Sequence, residues 1–204
     1  MSAPLGPDAP SPLVCTAPPT RFFGYYPGTV AVVTAAADGD RNVMSAGWHA
    51  ALSAEPPLYG VAVAPERYTY GLLRASGAFA VHFLPFGRAD AVAGAGSLSR
   101  HEGVDKFAAL GLAWRPGTKT PAPILQDAYL AYECRLQNAL PTGDHTWFVG
   151  EVVALHYRPE AFGERLMQAS ERVAPAVYYG RATYEALGAG ERAVFPPDAF
   201  RERA

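Results

Sequence analysis

The sequence predicts a mainly β domain with short helices, folded as a small antiparallel barrel. Three observations lead there. Six apolar runs of strand length are spread along the chain, at 30–34, 42–48, 58–63, 78–84, 130–136 and 145–157. Turn signals, Asp38-Gly39-Asp40 and Gly143-Asp144, precede two of them. The stretches with helical character between them are brief.

Val30-Ala31-Val32-Val33-Thr34 is a β-branched run, and with the Asp-Gly turn and Asn42 to Trp48 it reads as a hairpin. Leu58 to Val63 and Ala78 to Leu84 are two further strands. Between them Tyr68 to Ala75 reads as a short helix that Gly77 ends. Arg88 to Val92 and Val104 to Leu110 read as two more, the second stopped at Gly111. Residues 113–123 are rich in Pro and Gly and form a surface loop. Leu130, Tyr132, Cys134 and Leu136 alternate with Ala131, Glu133 and Arg135, the pattern of a half-buried strand. Residues 145–157 are apolar on both faces, as in a sheet covered on both sides. Glu164 to Leu187 reads as partly helical, interrupted by Pro175.

A chain of 204 residues is large for one domain and small for two. We expect a proline-rich arm over 1–20, one domain over 21–190 and a tail over 191–204. The first 20 residues hold six prolines and no Lys or Arg, which is neither a signal peptide nor a membrane segment. Net charge is −2 with no basic block, so nucleic acid is not expected as a partner. Charged residues are 18% of the chain, below the ~25% of ordinary soluble domains. Surface hidden in a homodimer is the simplest reason. Cys15 and Cys134 lie far apart with no CxxC spacing, which fits a reducing cytoplasm better than a disulfide framework. No histidine pair has i, i+4 spacing, so no metal site is expected. Gly94-Ala95-Gly96 before Ser97 is neither a nucleophile elbow nor a dinucleotide fingerprint.

Three separated segments carry candidate chemistry: Asn42 to Trp48, Pro65 to Tyr70, and Gly143 to Val152. Each residue also has a structural reading. Arg67 and Lys106 fit solvated surface charges, Trp48 fits a core position, and Asn42 after a turn fits a local backbone cap. His49, His82 and His156 lie on apolar strands and fit satisfied structural histidines.

In order and spacing these segments resemble the flavin reductase-like, FMN-binding split-barrel family, in its flavoredoxin-like branch. The resemblance runs from about Arg21 to Leu187. Asn42-Val43-Met44-Ser45-Ala46-Gly47-Trp48 resembles the flavin-contacting strand and turn. Arg67-Tyr68-Thr69 resembles the phosphate segment, and Val104-Asp105-Lys106-Phe107 one that brings a lysine near the flavin. Glu133-Cys134-Arg135 is similar to a structural strand motif. Gly143-Asp144-His145 through Val152 matches the last landmark.

The resemblance implies a split antiparallel β-barrel that binds FMN near a homodimer interface and uses NAD(P)H as co-substrate. Arg67, Thr69, Ser45, Ser97, Ser99 and Lys106 are then phosphate ligands by chemistry. Met44, Trp48 and Tyr68 line the ring slot, and backbone at Asn42 to Gly47, Ala46 included, reads the ring edge. His145 is the catalytic candidate. Electrons would pass to a monooxygenase or another acceptor. Two other functions stay open: an electron carrier with permanently bound FMN and no NAD(P)H turnover, and a flavin-free binding barrel. The arm and the tail beyond Pro159 depart from a minimal reductase, at places that could cover the nicotinamide entrance.

Overall fold

The computed structural model describes Cys15, residues 26–162 and residues 173–188. The rest of the expected arm, the tail over 191–204 and the first part of the expected C-terminal helix (164–172) lie outside the described residues.

The strands are β1 (Gly28–Thr29), β2 (Ala31–Ala37), β3 (Asp40–Ala46), β4 (His49–Ser53), β5 (Leu58–Val63), β6 (Ala78–Phe83), β7 (Trp114–Arg115), β8 (Ile124–Leu125), β9 (Leu130–Thr142), β10 (His145–Tyr157), β11 (Ala176–Gly180) and β12 (Thr183–Ala186). The helices are α1 (Tyr68–Ser76), α2 (Ala89–Ser97) and α3 (Lys106–Ala109). Seven strands make one antiparallel sheet in the order β3-β2-β6-β9-β10-β5-β4. Its two edge strands, β3 and β4, are consecutive in the chain and joined by Gly47 and Trp48 alone. Trp48 O also accepts from Ala62 N of β5 at 2.9 Å. The sheet therefore curls until its edges meet at this link, which makes it a split barrel.

The β2–β3 hairpin forms as its sequence dictates. Asp38 and Gly39 both have positive φ, 52° and 80°, the conformation a two-residue turn needs to match strand twist. Along β2 the side chains divide by parity, because successive residues point to opposite faces. Ala31, Val33 and Ala35 enter the barrel core with Val61, Val63, Leu73, Phe79 and Phe148. Val32, with Val30 just before the strand, joins a second core against Val92 and Ala95 of α2 and Phe107 of α3. Covered on both sides, β2 reads as a continuous apolar run.

Helix α1 begins after Arg67 and ends at Gly77, whose φ of 61° supports the terminal N–H bond to Leu73 O. Asp105 caps α3, its carboxylate accepting from Phe107 N and Ala108 N.

Two expectations are corrected. β9 does not expose the expected face at its start: Ala131 and Glu133 are fully enclosed, and Leu130 and Tyr132 are partly buried. The 113–125 segment folds over that face, where Ala122 and Ile124 pack on Ala80 and Ala131. Beyond Pro175 the described chain is strand rather than helix: β11 pairs with β1 and β12. Its β-branched and aromatic residues suit a strand, and the partner that reveals it lies about 150 residues away.

Candidate functional site

The twelve candidate flavin-site residues named from the sequence all line one cleft of about 280 Å³. Asn42, Met44, Ser45, Ala46 and Trp48 come from β3 and its exit, and Arg67, Tyr68 and Thr69 from the start of α1. Ser97 ends α2 and Ser99 lies just beyond it, Lys106 opens α3 and His145 opens β10. The sheet edge makes this convergence possible. β3 has β2 on one side only, so α2 and α3 can pack along its open side and present their ends there.

The cleft has a cationic end. Lys106 is only 5% exposed, and its Nζ donates to Val43 O at 3.1 Å and Ala95 O at 2.9 Å. Neither acceptor is a carboxylate, and an ammonium has a third proton to give. Burial, then the neighbouring Arg67, pushes its pKa down to about 8. Arg67 is exposed and precedes the first turn of α1, which carries no acidic residue. The free N–H groups of that turn favour an anion. Among the described residues, three cationic side chains, Arg67, Arg100 and Lys106, line the cleft against one carboxylate, that of Glu66, so an anionic ligand fits.

Two polar side chains await a ligand. Asn42 is 2% exposed; its Nδ2 donates to Thr69 Oγ1 at 3.0 Å, and its Oδ1 is buried with no partner among the described residues. Thr69, accepting from Asn42, has its own hydroxyl proton to donate elsewhere. Ser45 and Ser97 are more committed. Their hydroxyls donate to Val92 O and Ala93 O, so toward a phosphate they offer lone pairs rather than protons.

The other end is aromatic. Trp48 is 42% exposed, which removes its reading as a core residue. Its ring lies 4.8 Å from that of His145, tilted by 55°. His145 Nδ1 meets Asp144 Oδ1 at 2.7 Å, a contact that fixes Nδ1 as the protonated nitrogen and leaves Nε2 to face a ligand.

Arg100 and His101 also line the cleft and were not singled out in the sequence. The available signal was their position directly after Ser99. The remaining histidines are structural. His49 bonds Tyr59 OH and Thr29 O, and His156 lies between Glu133 and Arg115. Fully buried His82 bonds Val32 O, and burial holds its pKa down at about 4. Glu133 accepts from the backbone and hydroxyls of the 118–120 loop and from His156, as a structural clasp. The described part of the C-terminal segment does not line the cleft; it packs by β1 and Pro85.

An elongated ligand with a flat ring at one end and a phosphate at the other matches this distribution. FMN has that form, and the unpaired Asn42 Oδ1 and the carboxylate-free Lys106 fit it.

Known proteins point the same way. Residues 23–187 match the family model described as flavin reductase like domain. An NADH-dependent FAD reductase of Streptomyces globisporus is 32% identical over 79% of this chain and 88% of its own. An uncharacterized protein of Aeropyrum pernix is 36% identical over 76% of this chain, and the match spans only 59% of that longer relative. Among solved structures, an FMN-binding protein from Thermus thermophilus with bound 1-cyclohex-2-enone has a TM-score of 0.78. It is 35% identical, with 90% of this chain and 99% of that one covered.

Proposed function

We propose that this chain, which belongs to the flavin reductase-like family, binds FMN in the cleft and oxidises NAD(P)H with it, passing electrons to a monooxygenase or another acceptor. The observation that carries this reading is the convergence of twelve residues from distant segments on one cleft, cationic at one end and aromatic at the other. The names of the Streptomyces and Thermus relatives support reductase chemistry and FMN respectively.

Arg67, Lys106, the Thr69 hydroxyl and the first N–H groups of α1 hold the phosphate. Asn42 Oδ1 accepts from a ligand hydroxyl or ring N–H. Trp48, Met44 and the methyls of Ala62 and Ala64 exclude water along the ring. Bound flavin supplies a hydride acceptor at N5. His145, its Nδ1 held by Asp144, would present Nε2 beside the ring, where it could carry or move a proton.

A homodimer completes the reading. Leu52, Leu140, Leu155 and Tyr157 are 44–56% exposed, a supply of apolar surface for a partner copy. No described helix is long and apolar enough to cross a membrane.

The purified protein tests this directly. A yellow protein releasing FMN on denaturation, with NADH or NADPH oxidation that rises with added FMN, is the expected result. A colourless protein with no affinity for added flavin refutes it. The second reading is a carrier that keeps its FMN and does not oxidise NAD(P)H, with which the name of the FMN-binding Thermus protein is compatible. It predicts a yellow protein inert toward both nicotinamides.

A further inference from the structure

The cationic end of the cleft is bordered by side chains that hold one another. Asp40 stands at the start of β3 and Trp48 two residues beyond its end, so the two mark opposite ends of roughly 20 Å of strand. At the Asp40 end, Arg100 Nη2 donates to Asp40 Oδ1 at 3.0 Å and Tyr68 OH donates to Asp40 Oδ2. The Tyr68 ring meets His101 edge-on, with centroids 5.0 Å apart. His101 Nε2 in turn reaches Glu66 O at 3.2 Å. Four contacts thus join the hairpin, the 66–68 segment and the 99–101 turn into one wall. Tyr68, His101, Arg100 and Glu66 line the cleft, whereas Asp40 stands behind them as an anion.

We propose that this wall makes the cleft selective for a flavin that ends in a phosphate monoester, FMN, over FAD. The inference rests on the flavin-binding reading of the same cleft. FAD continues past its first phosphate through a second phosphate to AMP. With the first phosphate held at Lys106 and Arg67, that extension would have to part Tyr68 and Arg100 from the Asp40 carboxylate that holds them both. A phosphate monoester asks for no such break.

The test is equilibrium binding of FMN and of FAD, by quenching of flavin fluorescence, to the wild type and to Asp40→Ala. The substitution releases both Arg100 and Tyr68. The expected result is FMN bound about ten-fold or more tighter than FAD by the wild type. In Asp40→Ala that ratio falls at least several-fold through a gain in FAD affinity. His101→Ala, which opens the other side of the wall, shifts the ratio in the same direction and answers the question if Asp40→Ala folds poorly. Equal affinities in the wild type, or a ratio unmoved in both variants, overturn the inference while FMN binding stands. Loss of both flavins from folded wild-type protein overturns the flavin reading and the inference together.

Discussion

Trp48 and His145 meet ring to ring, with centroids 4.8 Å apart. One belongs to the link between the two edges of the sheet, the other to the first position of β10. Their contact joins the place where the barrel closes to the aromatic end of the cleft. A histidine held there by Asp144 is placed for chemistry in a way that a histidine bonded to backbone, such as His82, is not.

His145→Ala should therefore leave FMN binding intact and slow NAD(P)H-dependent reduction by roughly ten-fold or more, about 1.4 kcal/mol of transition-state stabilisation. Asp144→Ala should slow it less, since the ring remains and only its orientation is freed. Stopped-flow reduction of FMN-loaded variants measures both. A wild-type rate in His145→Ala, with a lowered melting temperature, would make the residue structural.

Arg67→Ala and Lys106→Met should each weaken FMN binding by roughly 1.5–3 kcal/mol, about ten- to 150-fold. Lys106→Met leaves Val43 O and Ala95 O without their donor but also removes a buried charge, so the melting temperature should move little. Calorimetric titration and thermal melts separate the two effects. Unchanged affinity in both variants would remove the two residues from the phosphate site.

The pH dependence of binding should carry the mark of Lys106. Its folded pKa of about 8 lies below the value of about 10.5 for an exposed lysine. Between those values the unfolded chain holds more protons, so the lysine's contribution to stability improves as pH rises from about 8 to about 10.5. Affinity for a phosphate moves the other way, because the anion needs the protonated amine. FMN affinity should fall as pH climbs past 8, and binding near pH 8 should take up protons from buffer. Lys106→Met should abolish the uptake.

Glu133 should govern acid stability. Burial alone would raise its pKa, but the hydrogen bonds from Thr118, Lys119 and His156 outweigh burial and hold it at about 2. A depressed carboxylate contributes fully above its unfolded value of about 4.5 and loses that contribution as pH falls toward 2. About 3 kcal/mol should disappear across that window. Glu133→Ala should be destabilised by about 3–5 kcal/mol at neutral pH and lack this acid phase. Urea melts at a series of pH values measure it.

Gly150→Ala should destabilise the barrel by about 1–3 kcal/mol without touching the cleft. A Cβ there would lie 2.7 Å from the Phe79 ring and from Cys134, both fully buried. A lower melting temperature with unchanged FMN affinity is the expected pair of results.

Local pattern carried much of this into the sequence. The hairpin was legible because β-branched alternation flanks an Asp-Gly turn, and α1 because its apolar pair precedes a helix-ending glycine. The cleft was legible because chemistry-bearing side chains cluster on three short segments. Long-range events were not. Glu133 takes its hydrogen bonds from a loop 13–15 residues away, so alternation alone placed its face in solvent. Lys106 as a buried cation depends on two carbonyls supplied by β3 and α2. Arg100 and His101 sit in a tight turn after the predicted serines, and their partners Asp40 and Glu66 come from elsewhere in the chain.

The link at Gly47 and Trp48 has a thermodynamic consequence. β3 and β4 share no ladder, so the closure they make is held by that two-residue crossing and by the bond from Ala62 N to Trp48 O. A ligand resting on Trp48 presses on the same crossing. Occupancy and resistance to unfolding are then coupled quantities: at a hundred times its dissociation constant a ligand adds about 2.7 kcal/mol. Hydrogen exchange at the Ala62 amide should slow on FMN addition, while amides between β6 and β9 hardly change, so a local seam would report the filling of the cleft.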